Sequence, residues 1–137
     1  MKLNRLIFVN ALLYIGLGIA FALYGPLMIR LFGILDFPDA EGGLYWFTAS
    51  FARILGAVLF GFGFLLWAVR DMLATGAMPA DKVQRTALAL LLGSIFALFV
   101  AVTQQWQVWV NLAGWVTIVV FLLLTAGYAY FLATKNY

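Results

Sequence analysis

Arg53 stands near the start of a long apolar stretch, FARILGAVLFGFGFLLWAVRD, which covers residues 51–71. A guanidinium group has five N–H donors and a permanent positive charge, so it can bind a phosphate, a carboxylate or a small anion. An arginine at the centre of a bilayer costs about 2.5–3.5 kcal/mol on insertion scales, and less where its side chain reaches the interface. Arg53 is therefore the strongest candidate for a functional group in this chain.

Three further polar side chains fall within apolar segments and extend this candidate site. Asn10 and Tyr14 are four residues apart, so on a helix they share one face, where they can form an interhelical hydrogen bond or contact a ligand head group. Asn111 lies near the start of the last apolar segment, and we expect it in the same membrane layer as Arg53. These four residues are the candidate contacts for an anion or a lipid.

Histidine and cysteine are both absent from the sequence. They supply the commonest general base, the thiol nucleophile and the usual ligands of zinc and haem. All five acidic residues lie between the apolar segments, so no intramembrane acid–base pair can form. We therefore expect no enzyme, no catalytic residue, no metal site and no bound cofactor. The same lack of intramembrane carboxylates argues against a proton- or cation-coupled transporter.

The composition is that of a membrane protein. Two thirds of the 137 residues are hydrophobic and only 9% are charged, whereas soluble domains carry about 25% charged residues. Four apolar segments are near or above the roughly 20 residues that cross a bilayer as a helix. They cover about residues 6–24, 45–69, 83–103 and 108–132. Because these segments use nearly the whole chain, we expect a single domain over residues 1–137.

Short connections between successive segments predict antiparallel neighbours and hence an all-α, up-down-up-down transmembrane four-helix bundle. The dipeptide Gly25-Pro26 interrupts the first apolar pattern, and proline favours the first turn of a new helix. This predicts a short interfacial helix over about residues 26–33. The sequence QQWQ, residues 104–107, is predicted to form a tight turn between the third and fourth helices.

Small residues recur at intervals of seven in three of the predicted helices. In lipid, helices associate through close packing, so such residues allow two backbones to approach each other. A seven-residue period favours a left-handed crossing, although an Ala- and Gly-rich chain can also produce such triplets by chance. The three sets are Ala11, Gly18 and Gly25; Ala49, Gly56 and Gly63; and Ala87, Ser94 and Ala101.

The charged residues are distributed unevenly between the two membrane surfaces. Basic residues concentrate in cytoplasmic segments, which predicts a multi-pass protein with both termini cytoplasmic. The basic residues assigned to that side are Lys2, Arg5, Arg70, Lys82, Arg85 and Lys135, whereas the other side combines Arg30 with Asp36, Asp39 and Glu41. Helix side chains lean toward the helix N-terminus, so Arg53 is expected to reach toward these three carboxylates. An ion pair that fastens the loop is the structural alternative to a functional role.

Three glycine and aromatic patterns stand out in the sequence: Arg53-x-x-Gly56-x4-Gly61-x-Gly63-x3-Trp67-x-x-Arg70-Asp71, Asn111-Leu-Ala-Gly-Trp115 and Gly127-Tyr-Ala-Tyr-Phe131. These patterns resemble those of a group of small, uncharacterised bacterial four-helix membrane proteins that are loosely DoxX-like. The resemblance implies a bacterial inner-membrane protein and assigns no activity or ligand.

These observations lead to a main functional hypothesis and two alternatives. The main hypothesis is a non-catalytic accessory subunit that packs against a larger membrane complex, for example a respiratory or photosynthetic one. One alternative is a binding protein for lipid, quinone or carotenoid, with Asn10, Tyr14 or Arg53 as polar anchors. The other is a small anion-conducting oligomer. The expected partners are other membrane subunits, a second copy of the chain and lipids, but no nucleic acid.

Overall fold

The computed structural model describes residues 3–33 and 43–134, apart from the side chain of Leu44. Within these ranges the chain forms α1 (Leu3–Leu31), α2 (Gly43–Ala74), α3 (Ala80–Gln104) and α4 (Leu112–Thr134), with a π-helical turn at Gln105–Trp109. Each of the four α-helices contains or belongs to a segment long and apolar enough to cross a membrane. The predicted all-α membrane bundle with four spans is therefore confirmed.

The helices differ from the predicted segments mainly at their ends. The first three extend beyond the predicted boundaries, whereas α4 begins at Leu112 rather than at residue 108. The prediction of a tight turn at residues 104–107 is wrong, because these residues continue the helical path. The chain reverses direction at Val110 and Asn111 instead, where Val110 adopts the left-handed conformation with φ 43°.

The interruption at Gly25-Pro26 is a kink within α1. Pro26 has no N–H, so the Ala22 carbonyl loses the hydrogen bond that would continue the helix. The backbone of Tyr24 departs from helical geometry at this point, with φ −115° and ψ 33°. A second helical piece follows this break and runs as far as Leu31, which agrees with the helix predicted over about residues 26–33. Its position at the membrane interface stays a prediction. Gly33 then ends this piece with φ 84°.

Glycines bring the backbones of α1 and α2 into close contact. A Cβ atom on Gly18 would lie 2.7 Å from the Cα of Phe60, which is far inside normal contact distance. A Cβ on Gly56 would overlap the backbone of Ala22, and one on Gly63 would lie 2.6 Å from the Cγ1 of Ile15. Larger side chains at these glycines would therefore separate the two helices.

The four helices meet in one core at the end of the bundle where α1 begins and α4 ends. We call this the terminal end, and the end where α1 stops and α2 begins the opposite end. The shared core indicates the up-down-up-down arrangement. It consists of Leu3, Leu6, Ile7 and Ala11 from α1, Leu66 from α2, Val83 and Ala87 from α3, and Leu124, Tyr128 and Phe131 from α4.

Among the described residues, the buried cluster of the opposite end draws on α1 and α2. Ile29 packs there with Ala49 and Ala52. A separate aromatic contact links this end of α1 to the second hairpin, because the Phe32 and Trp109 rings lie 4.8 Å apart. The bundle therefore consists of two hairpins, α1–α2 and α3–α4, which share a core at the terminal end.

Candidate functional site

Asn10 takes part in an interhelical hydrogen bond. Its side-chain Nδ2 donates to the hydroxyl of Tyr128 on α4 at 2.8 Å, and the two residues are 3% and 0% exposed. Tyr14, one turn further along α1, packs its ring edge-on against Phe62 of α2, with 5.3 Å between centroids. Both residues thus join α1 to neighbouring helices, and Asn10 and Tyr128 are closed off from the surrounding lipid.

Asn111 holds the turn between α3 and α4. Its Oδ1 accepts a hydrogen bond of 2.9 Å from the Gly114 N–H, which caps the start of α4. The side chain of Gln105, only 3% exposed, donates a hydrogen bond of 3.1 Å to the Asn111 carbonyl. A Cβ on Gly33 would lie 2.9 Å from the Asn111 Nδ2, so this amide also lies against the end of α1. Asn111 therefore stabilises the turn, and no hydrogen bond joins it to Arg53 within residues 3–33 and 43–134.

Gln105 is the buried polar residue that sequence reasoning missed. It lay in the segment expected to be a turn, where a glutamine is usually solvated. Asn111 could have indicated the position of the turn, because asparagine is a common N-cap residue and a long apolar run follows it directly. A helix beginning at residue 112 would have left Gln105 inside the bundle end rather than in the loop.

Arg53 is exposed on α2, and its close neighbour across the helix pair is Gly25. The Arg53 Cγ lies 3.3 Å from the position of a Cβ on that glycine. No hydrogen bond or ion pair of Arg53 is found within residues 3–33 and 43–134. The carboxylates expected to reach it, Asp36, Asp39 and Glu41, lie outside the described residues. Within the described ranges, Arg53 thus presents an unpaired guanidinium to whatever surrounds α2.

The described ranges contain a contrasting arginine at the terminal end. Arg70 donates a hydrogen bond of 2.6 Å from its Nη1 to Asp71, and its guanidinium carbon lies 5.1 Å from the centre of the Phe8 ring. The pairing of Arg70 shows how an arginine near the end of α2 is held within the fold. Arg53, by comparison, has no such partner in the described part of the chain.

Two faces of α2 carry small residues. Ala49, Gly56 and Gly63 are buried, and Gly56 and Gly63 lie directly against the backbone of α1. The second face is exposed, and a Cβ on its Gly61 would have no neighbour within 4 Å. We call this second face the open face of α2; its residues, spaced to share one side of the helix, are Ser50, Ala57, Gly61 and Ala68.

Ser94 is the last of the predicted packing residues. It is buried on α3, and its hydroxyl donates a hydrogen bond of 2.9 Å to the Leu91 carbonyl. The serine thus satisfies its polar group within its own helix while its small side chain stays in the interior. Its neighbours at intervals of seven, Ala87 and Ala101, are buried as well.

Comparison with known proteins yields no relative from which a site could be transferred. No protein-family model, curated protein or solved structure matches this chain. Within the described ranges, no three His, Cys, Asp or Glu side chains are grouped so that they could hold a metal ion. Arg53 and the open face beside it are therefore the candidate functional surface of this chain.

Proposed function

We propose that this chain is a non-catalytic subunit of a larger membrane-protein assembly. In this proposal the open face of α2 packs against a transmembrane helix of the partner, and Arg53 binds a carboxylate on that helix. The observation that carries the proposal is the Arg53 guanidinium, unpaired within the described ranges, beside an exposed face of small residues on the same helix.

The depth of Arg53 is the first argument for a protein partner. It lies ten residues beyond Gly43, where α2 begins, which corresponds to about 15 Å along the helix axis. A charged side chain at such a depth is costly in lipid and usually pairs with another group. A carboxylate on a neighbouring helix would supply an opposite charge and two acceptor oxygens for the guanidinium fork.

The open face is the second argument. Transmembrane helices associate where small residues allow their backbones to approach, and the buried face of α2 already does so against α1. Ala57 and Gly61 are small residues on the exposed side of α2. A Cβ atom added to Gly61 would have no neighbour within 4 Å. A partner helix could therefore pack closely against the open face of α2, beside the positive charge of Arg53.

The hydrogen bonds of several intramembrane polar groups favour a subunit over an enzyme or a conduction pathway. Asn10 is bonded to Tyr128, Ser94 to its own helix and Thr117 to the Ala113 carbonyl. The first bond joins α1 to α4, and the other two satisfy hydroxyl groups within their own helices. We place the protein in the bacterial inner membrane with both termini cytoplasmic, and a respiratory or photosynthetic complex is a suitable host.

Lipid binding at Arg53 is the second candidate. The aliphatic part of Arg53 packs at Gly25, which lies five residues before the exposed Arg30 on α1. Two arginines near the opposite end of one helix pair can share a phosphate group. This candidate predicts that the purified protein carries a phospholipid there and no stoichiometric protein partner.

Purification of the native protein in mild detergent tests the proposal. Size-exclusion chromatography, protein mass spectrometry and absorbance would be measured on the same peak. We expect stoichiometric comigration with a much larger assembly, and a small partner-free peak would contradict a subunit role. Two variants refine the test. Gly61→Leu fills the open face and Arg53→Gln removes the charge, so both should release the partner.

Gly93→Leu is the matched control for the open face. Gly93 lies on α3 and is exposed, and a Cβ added there, like one on Gly61, would have no neighbour within 4 Å. The control should keep the partner, because it adds the same bulk on a different helix. Release of the partner by Gly93→Leu and Gly61→Leu alike would indicate a general effect of bulk and contradict docking through α2.

A further inference from the structure

Phe8, Trp67 and Arg70 pack together at the terminal end of the α1–α2 hairpin, and Arg5 lies about one turn from Phe8 on α1. The Phe8 ring packs edge-on against Trp67, with 5.1 Å between centroids and 71° between planes. The guanidinium carbon of Arg70 lies 5.1 Å from the centre of the same Phe8 ring. Arg5 stands three residues before Phe8, so the two are neighbours on the surface of α1.

We propose that Arg5, Phe8, Trp67 and Arg70 bind the phosphate head group of an anionic phospholipid in the leaflet at the terminal end. The head-group contacts lie at the terminal end and do not include the open face of α2, although Phe64 borders that face. This head-group site needs neither a protein partner nor Arg53.

The guanidinium N–H groups of Arg5 and Arg70 are the first evidence for phosphate binding. Arg70 gives one N–H of its guanidinium to Asp71 at 2.6 Å and is held over Phe8 by a cation–π contact. Its other N–H groups have no hydrogen-bond partner in residues 3–33 and 43–134, and the exposed Arg5 has none there either. A phosphate group can accept several such charge-assisted bonds at once.

The local charge favours an anionic lipid over a zwitterionic one. Asp71 offsets the charge of Arg70, but Arg5 adds a positive charge that no described residue neutralises. Basic residues close to the membrane surface attract acidic lipids, and aromatic rings at the interface anchor at head-group level. Trp67 is half-buried and supplies such a ring beside the arginines.

An exposed apolar surface continues from the head-group site into the membrane. Leu12 follows Phe8 by one turn on α1 and is 46% exposed, and Phe64 precedes Trp67 by about one turn on α2 and is 53% exposed. The Phe64 ring packs edge-on against Phe60, with centroids 4.9 Å apart. An acyl chain can lie along this surface while its phosphate stays at the arginines, which favours a lipid over free phosphate.

Native mass spectrometry of the full chain from nanodiscs tests the site. The discs would contain phosphatidylcholine with or without phosphatidylglycerol, and the fraction of protein carrying a lipid would be measured. The variant pair Arg5→Gln and Arg70→Gln should lower retention of phosphatidylglycerol by roughly fivefold or more, as the loss of surface charges predicts. Unchanged retention would overturn the proposal, as would equal retention of phosphatidylcholine.

Matched variants distinguish a defined lipid site from non-specific attraction between anionic lipids and positive charges. Lys82→Gln with Arg85→Gln removes the same charge from the exposed start of α3 and should leave lipid retention unchanged. Phe8→Leu keeps every charge but removes the aromatic platform, so it should lower retention. Equal losses in the α1–α2 and α3 charge variants would overturn the site. Release of the lipid by excess inorganic phosphate would do the same, because it would show binding of phosphate alone.

The Arg5→Gln variant alone keeps the test valid if changes at Arg70 affect folding. Arg5 is exposed and has no bonded partner among the described residues, so its loss should leave the bundle intact. Circular dichroism and the elution volume would check this for each variant. A folded Arg5→Gln protein that retains phosphatidylglycerol like the wild type would count against the proposal.

Discussion

The side-chain amide of Asn10 donates a hydrogen bond of 2.8 Å to the hydroxyl of Tyr128, which joins the first helix to the last inside the bundle. The two residues are 118 positions apart in the chain. Their bond therefore fixes how the α1–α2 hairpin sits against α4 in a core that is otherwise apolar. Interhelical hydrogen bonds of this kind contribute about 0.6 kcal/mol on average in membranes and up to roughly 1.7 kcal/mol.

Tyr128→Phe should lower the free energy of unfolding by about 1 kcal/mol, because it leaves the buried Asn10 amide without its acceptor. Asn10→Leu should have a similar effect. In a double-mutant cycle the two changes together should cost less than their sum, since both remove the same bond. Reversible unfolding in mixed detergent micelles measures all four proteins. Strict additivity would show that this hydrogen bond does not stabilise the bundle.

Thr125→Val should raise the free energy of unfolding. The Thr125 hydroxyl is buried on α4 and has no hydrogen-bond partner among the described residues. Replacing it by a methyl group of similar shape removes an unsatisfied polar group, so the free energy of unfolding should rise by about 1 kcal/mol. Thr117→Val is the control on the same helix, because its hydroxyl donates to the Ala113 carbonyl at 2.9 Å. Equal effects at the two threonines would contradict this explanation.

Gly56→Ala and Gly61→Ala should differ in their effect on the isolated chain, although both add one methyl group to α2. At Gly56 the methyl would overlap the backbone of α1, whereas at Gly61 it meets open space. Overpacking typically costs about 1–3 kcal/mol, and we expect Gly56→Ala to reach the upper part of that range. Gly61→Ala should be neutral or slightly stabilising. The same unfolding assay checks both, and comparable losses would contradict the helix contact.

The existence and approximate positions of the four helices follow from the sequence for a physical reason. Backbone polar groups cannot remain unpaired in hydrocarbon, so an apolar segment of bilayer length must form a helix. The buried face of α2 likewise matches the seven-residue spacing of Ala49, Gly56 and Gly63. The ends of the helices were harder to predict from the sequence. For example, α4 begins where the Asn111 side chain caps it and not where the apolar residues begin. The left-handed crossing of the helices stays a prediction.

The partners of polar side chains were much less predictable. Spacing along α1 indicates that Asn10 faces inward with Tyr14, but it cannot show that Tyr128 lies opposite. That contact depends on how two hairpins pack, which no local pattern encodes. Gln105 was missed because a shift of the turn by a few residues moved it from the expected loop into the interior. The expected ion pair of Arg53 involves residues outside the described ranges.

Asn111→Ala should lower the free energy of unfolding by about 1 kcal/mol, the typical cost of removing a helix N-cap. Asn111→Asp should cost less, because a carboxylate oxygen can still accept from the Gly114 N–H and favours the helix N-terminus. Amide hydrogen exchange at the start of α4 would locate the effect, with faster exchange expected for alanine than for aspartate. Equal exchange rates in the two variants would show that the cap does not hold the start of α4.

Single cysteines at Ala77 and Val110 should be labelled from opposite sides of the membrane. The sequence contains no cysteine, so each introduced thiol is unique. Both positions are exposed, with Ala77 between α2 and α3 and Val110 between α3 and α4. If the basic terminal end faces the cytoplasm, an impermeant maleimide should label Val110→Cys in intact cells and Ala77→Cys only after lysis. The reverse pattern would overturn this orientation and place the head-group site of Arg5 and Arg70 in the outer leaflet.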